Sequence, residues 1–146
     1  MIDKINTPRM RLGVMYNACH GGFSFSQAAI DEYNRRKDPS TPVLDVHTHC
    51  VDRSDPLMID ICSEMGYDAN GLYANIQVDY IPLQYKDHFI ITEYDGYESV
   101  NIDYNGYMLD QIKNVLNNES ATNDHKIEIL LEIVNANMPP SSFCIE

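Results

Sequence analysis

The sequence predicts an α+β fold: a single compact domain in which β-α-β-α is followed by a β-meander with a hairpin and two C-terminal helices, its sheet mixed or antiparallel. Three observations carry this. An alternating apolar run meets a double glycine and then turns helical. Asp95-Gly96 separates two runs rich in aromatic and β-branched residues. Two amphipathic stretches follow residue 105. At 146 residues, the chain is long enough to bury one core and too short for a large barrel.

Residues 1–8 read as a lead-in closed by Pro8. From 9 to 18 the residues alternate, Met10, Leu12, Val14 and Tyr16 on one face and Arg9, Arg11, Gly13 and Met15 on the other, which predicts a strand. A helix is expected from about Ser26 to Lys37, with Ala28, Ala29, Ile30 and Tyr33 to pack, and the Pro39 and Pro42 loop stops it. Val43–Val51, short and β-branched, predicts a second strand. Asp55 then caps a helix with Pro56 in its first turn, running to Met65 with Leu57, Ile61 and Met65 in one stripe and Gly66 as its stop. Leu72–Ile81 and His88–Tyr94 read as extended, and Tyr97–Ile102 as the strand returning from the Asp95-Gly96 turn. Leu109, Ile112, Val115 and Leu116 mark one closing helix; Ile127, Leu130, Leu131 and Val134 mark the other. The expected domain spans 1–138, with a core of about 9–103, a helical extension of about 106–137 and a flexible tail over 139–146.

The formal net charge of −12 excludes a long polyanion as the expected partner, because nucleic-acid affinity rests on neutralised phosphates. Charge is uneven. Residues 1–53 carry seven Lys and Arg against six acids, whereas 54–146 carry three Lys and sixteen acids. A small anion would therefore favour the first third of the chain, and the acidic remainder serves solubility or a partner. Cys19, Cys50, Cys62 and Cys144 show no CxxC pair or disulfide framework, which suits reduced thiols and a cytoplasmic location. No signal peptide is read at the start, and no apolar run reaches membrane length, so no membrane partner is expected.

The candidate site begins at Gly21, Gly22, Ser24 and Ser26, where a strand turns into a helix. Backbone N–H groups and the positive end of the helix dipole there can seat an anion such as a nucleotide phosphate. The turn lacks the GK[ST] of a Walker motif and the third glycine of a dinucleotide fingerprint, and a plain capped connection explains it equally well. Arg53 and Asp55 join the candidate ligand-binding set: an arginine fork can grip phosphate or carboxylate, or can pin the loop as a salt bridge. Glu93, Asp95 and Glu98 cluster at the hairpin as either an acid–base group or turn and strand residues. The nearby tyrosines either line a pocket for a base or ring, or pair across strands.

Asp45-Val46-His47-Thr48-His49 is similar to the D-x-H-x-H strand of metal-dependent amidohydrolases, but that family needs a barrel of over about 200 residues. No metal is therefore expected; the lesser alternative is a small zinc site of His47, His49, Cys50 and His20 or Cys19. Cys19 with His47 or His49 is a remote nucleophile–base pair. No cofactor is expected.

Gly21-Gly22-Phe23-Ser24-Phe25-Ser26, Arg53-Ser54-Asp55-Pro56, the Glu64-Met65-Gly66 helix end and Glu93-Tyr94-Asp95-Gly96-Tyr97-Glu98 together resemble a family of small, mostly uncharacterised proteins of phages and large DNA viruses. There a GGFSLS-like turn, an R-x-DP-x-L-like helix start and an I-E-E-Y-D-G-x-E-like hairpin follow in this order. The likeness covers roughly residues 10–102 and implies a compact α/β unit of viral origin, hence host cytoplasm, without a mechanism. The expected function is capture of a small anionic ligand, a nucleotide or nucleotide-derived signal, by the Gly21–Ser26 turn and Arg53. The alternatives are a small nucleotide hydrolase or an adaptor acting on a host protein. A homo-oligomer is expected where a short α/β unit leaves a sheet edge to bury.

Overall fold

The computed structural model describes residues 10–45 and 51–137. The fold is α+β, with two small antiparallel sheets and four α-helices among the described residues. The chain divides at Ile102/Asp103 into two compact units.

In the first unit, β1 (Arg11–Asn17) pairs antiparallel with β2 (Ile76–Pro82), Val14 opposite Asp79. Helix α1 (Gln27–Arg36) follows β1, and α2 (Pro56–Met65) precedes β2. A 3₁₀ turn over Gly66–Ala69 continues α2. The hairpin of β3 (Phe89–Tyr94) and β4 (Tyr97–Ile102) forms its own sheet. Its two-residue turn has positive φ at both Asp95 (49°) and Gly96 (81°), the type I′ geometry whose twist matches the strands.

Local chemistry sets the boundaries. Ser26 caps α1 by accepting from the Ala29 amide, Asp55 caps α2 by accepting from the Met58 amide, and Gly66 ends α2 at φ 58°. The core gathers Met15, Ala29, Tyr33, Met58, Ile61, Ala69, Ala74 and Ile76, with Phe23 and Phe25 packed against it. Val14 and Met15 point to opposite faces of β1 and both are fully buried, so this strand is covered on both sides. On the outside, Arg36 ties α1 to α2 through Glu64, 2.6 Å. Hydrogen bonds from Arg35 and Arg36 hold Glu32 down at about 2.

Two expectations of strand placement change. The described residues of the Val43–Val51 stretch (Val43, Leu44, Asp45, Val51) are not in a strand, and 46–50 lie outside the described residues. Leu44 is instead held in irregular chain by the Asn34 side-chain amide, which contacts its N–H and C=O at 2.9 and 2.8 Å. The run before the hairpin pairs with β1 instead of continuing into a meander. Pro82 and the 3₁₀ turn Leu83–Tyr85 separate it from β3. The expected lead-in 1–8 and tail 139–146 lie outside the described residues.

The second unit is a helical pair, α3 (Tyr104–Leu116) and α4 (Asn123–Asn137). Asp103 caps α3 by accepting from the Gly106 amide, 2.9 Å. Ile127, Leu131 and Val134 form an exposed apolar stripe on α4. No helix among the described residues is long and apolar enough to cross a membrane.

Candidate functional site

The motif residues meet at one corner of the first unit. β1 delivers Asn17 there, fully buried. Its backbone N–H donates to Glu98 Oε2 at 2.8 Å. Its side-chain NH₂ donates to the Gly96 carbonyl, 2.8 Å, and the Cys19 carbonyl, 3.0 Å. Its Oδ1 accepts from the Asn75 amide, 2.8 Å. One side chain thus joins β1, the glycine turn, the start of β2 and the hairpin turn.

Arg53 completes the corner from the loop before α2. Its Nη1 and Nη2 donate to Glu98 Oε2 and Oε1 at 2.7 and 2.9 Å, and its guanidinium lies 3.4 Å over the Phe23 ring. Burial pushes the Glu98 carboxyl up, but hydrogen bonds from Arg53 and the Asn17 amide, with the Arg53 charge, outweigh it and hold the group below the usual carboxylate range.

Of the expected site residues, Arg53 meets the glycine turn through Phe23 while Ser26 and Asp55 cap separate helices, and most of their polar groups are engaged internally. A Cβ on Gly21 would sit 1.8 Å from the Tyr73 carbonyl oxygen, so close packing demands glycine there. The Gly22 amide points to the same carbonyl at 3.4 Å. The Ser24 hydroxyl lies 3.5 Å from the Gly22 carbonyl, and the Ser24 carbonyl accepts from the Gly71 amide, 2.9 Å. The Ser26 amide donates to the Ala69 carbonyl, its Oγ donates to the Asp68 carbonyl at 2.7 Å, and the same Oγ accepts from the Ala29 amide at 3.2 Å. Asp55 accepts from the Met58 amide and from the Tyr33 hydroxyl, both at 2.9 Å. Burial first, then the Asp55 contact, pushes the Tyr33 phenol up to about 12. His47, His49 and Cys50, on which the zinc alternative and the Cys19–histidine pair depend, lie outside the described residues. The Cys19 thiol donates to the Tyr73 carbonyl, 3.2 Å.

The hairpin carboxylates part company. Glu98 faces inward to Arg53; Glu93 accepts from the Gly96 amide, and Asp95 approaches His20 Nδ1 at 3.9 Å. Thr92, Tyr94, Tyr97 and Ser99 share the opposite face of the hairpin. His20 tilts against Tyr97, ring centroids 5.6 Å apart, and with these residues and Glu93 encloses an open cleft of ≈ 410 Å³. A second depression, ≈ 450 Å³, lies between α2 and β2 and is lined in part by Cys62, whose thiol burial pushes up to about 11 and out of the reactive range.

Sequence reasoning missed Asn17 and the part played by His20 in the cleft. An asparagine closing an apolar strand just before a double glycine is the available signal for the first. Nothing local signals the second. Comparison with family models, curated proteins and solved structures gave no match.

Proposed function

We propose that the chain is a small-ligand-binding protein whose site is the cleft between His20 and the outer face of the β3–β4 hairpin. One observation carries this reading: the cleft is of ligand size and combines the Tyr94, Tyr97 and His20 rings with Thr92 and Ser99, and Glu93 also lines it. Flat aromatic walls with a few polar groups at the rim favour a planar or ring-bearing ligand. A viral origin, implied by the motif resemblance, belongs to the same proposal.

A phosphate seated at the glycine turn has less support. Arg53 is forked onto Glu98, Arg35 onto Glu32, and Arg36 onto Glu64, while the Ser26 hydroxyl is committed as a cap. Among the described residues, those three guanidiniums are each matched by a carboxylate.

Ligand-observed NMR with a panel of nucleosides, nucleotides and aromatic amines tests the reading. At least one compound should bind the wild type, lose affinity about tenfold with Tyr97→Leu, and be recovered unchanged by chromatography. A product in place of the input would favour the hydrolase. Binding by no compound, or binding indifferent to Tyr94→Ala and Tyr97→Leu, would end the proposal.

A second reading rests on a different observation, the exposed Ile127, Leu131 and Val134 stripe of α4, which suits an adaptor or a homo-oligomer. Leu131→Glu should then lower the mass seen by sedimentation equilibrium, or abolish a partner's binding, without touching the cleft.

A further inference from the structure

We infer, on the reading that the hairpin cleft is the binding site, that its ligand is a small organic cation, a guanidinium or substituted ammonium group, held on the Tyr94 and Tyr97 rings. The lining holds no lysine or arginine: it is His20, Thr92, Glu93, Tyr94, Tyr97 and Ser99. Arg53 is paired with Glu98, which alternates with Tyr97 along β4 and so points to the other face. Asp95, 84% exposed at the side chain, lies 3.9 Å from His20 Nδ1, and Glu93, although opposite Glu98 in the register, turns its carboxylate to the Gly96 amide at the hairpin tip.

Two tyrosines face to face with solvent across a two-residue turn are costly in apolar exposure. Tyr94 is 81% exposed and Tyr97 42%. Their ring faces carry negative potential, which attracts cations, most of all weakly hydrated ones. A hard metal ion keeps its water shell and gains little from a ring, whereas guanidinium and alkylated ammonium groups shed water easily and suit a mixed wall of aromatic faces and carboxylates. A phosphate-bearing ligand would meet Glu93 and Asp95 as like charges. The chain's net charge of −12 adds long-range attraction of the same sign to cation capture.

The test is an NMR titration of the intact, ¹⁵N-labelled chain at low salt with agmatine, tetramethylammonium, adenosine and AMP as separate probes, and with a blocked Gly-Arg-Gly peptide as a further arm. Agmatine or the arginine peptide should shift the amides of His20, Tyr94, Asp95, Gly96 and Tyr97 saturably; whichever binds tighter identifies the source of the cation, and either supports the proposal. Asp95→Asn keeps the turn, since asparagine tolerates positive φ, and should weaken binding about fivefold. Tyr97→Phe should retain binding and Tyr97→Leu lose at least fivefold. Adenosine binding while every cation fails would overturn the inference and leave the cleft as a ligand site. Silence from all probes would overturn both. Cation binding that ignores both Asp95→Asn and Tyr97→Leu would place the cation elsewhere and overturn the inference as well.

Discussion

Arg53 and Glu98 stand 45 residues apart in sequence and meet as a two-pronged pair, with N–O distances of 2.7 and 2.9 Å, beneath which the Phe23 ring lies flat. The pair holds the loop before α2 to the hairpin, and the Asn17 amide adds a third donor to the same carboxylate. Both side chains are largely withdrawn from water, at 26% and 10% exposure, so the pair matters chiefly through what happens when one member is lost.

Arg53→Ala should therefore destabilise the first unit by about 2–4 kcal/mol, read from urea unfolding, because Glu98 is left desolvated with only the Asn17 amide. Arg53→Lys retains charge but loses the fork and the stacking plane, and should recover less than half of the loss. Arg53→Ala combined with Glu98→Gln should cost less than the two single effects added, since the second change removes the stranded charge.

Acid should dissolve this advantage. Glu98 titrates lower in the fold than its ordinary 4.5, so its contribution is complete above that value and disappears as pH falls through the lowered folded one. The Tm gap between wild type and Glu98→Gln should be flat from about pH 7 to 5 and close progressively below about pH 4. A gap unchanged at the lowest accessible pH would show that the charge of Glu98 is not its source.

Helix starts, helix stops and the hairpin turn were legible because each is decided within a few residues: Ser26 and Asp55 satisfy amides three positions on, and Asp95-Gly96 sets φ for its own turn. Strand pairing was not. Val43–Val51 and Leu72–Ile81 carry similar apolar patterns, and alternation names a face without naming a neighbour. The corner was half legible: Arg53, the glycine turn and the hairpin each stood out, but the choice between ligand and Glu98 as the partner of Arg53 depends on a contact 45 residues away. Asn17 was passed over because polarity at a strand end usually signals exposure, and only the converging turns bury it.

Gly96 should tolerate no side chain. Its φ of 81° already strains any L-residue, and a Cβ would fall 1.7 Å from the Gly21 carbonyl oxygen, backbone that cannot step aside. Gly96→Ala should cost more than about 2 kcal/mol and broaden the amide signals of Asn17 to Gly22, whereas Asp95→Asn, in the same turn, should be neutral within about 0.5 kcal/mol by thermal melting.

At the alkaline end, Tyr33 is the residue to follow. Its hydroxyl donates to Asp55, and its phenol titrates near 12 instead of 10. A group raised in the fold stabilises below its unfolded value and loses that effect as pH rises through the folded one. The stability gap between wild type and Tyr33→Phe should hold up to about pH 10 and vanish by about pH 12, with tyrosinate absorbance late in the titration reduced in the variant.

Tyr73 offers a change in the other direction. It adopts φ 61° and is 78% exposed as a residue, while its carbonyl serves the Gly22 amide and the Cys19 thiol. The left-handed conformation costs a tyrosine about 1–2 kcal/mol, partly offset because glycine loses more freedom on folding. Tyr73→Gly keeps the carbonyl contacts and should raise stability by about 0.5–1 kcal/mol in urea unfolding. A loss instead would mean that the exposed ring makes a stabilising contact in solution, and Tyr73→Asn, which also suits positive φ but lacks the ring, should then show the same loss.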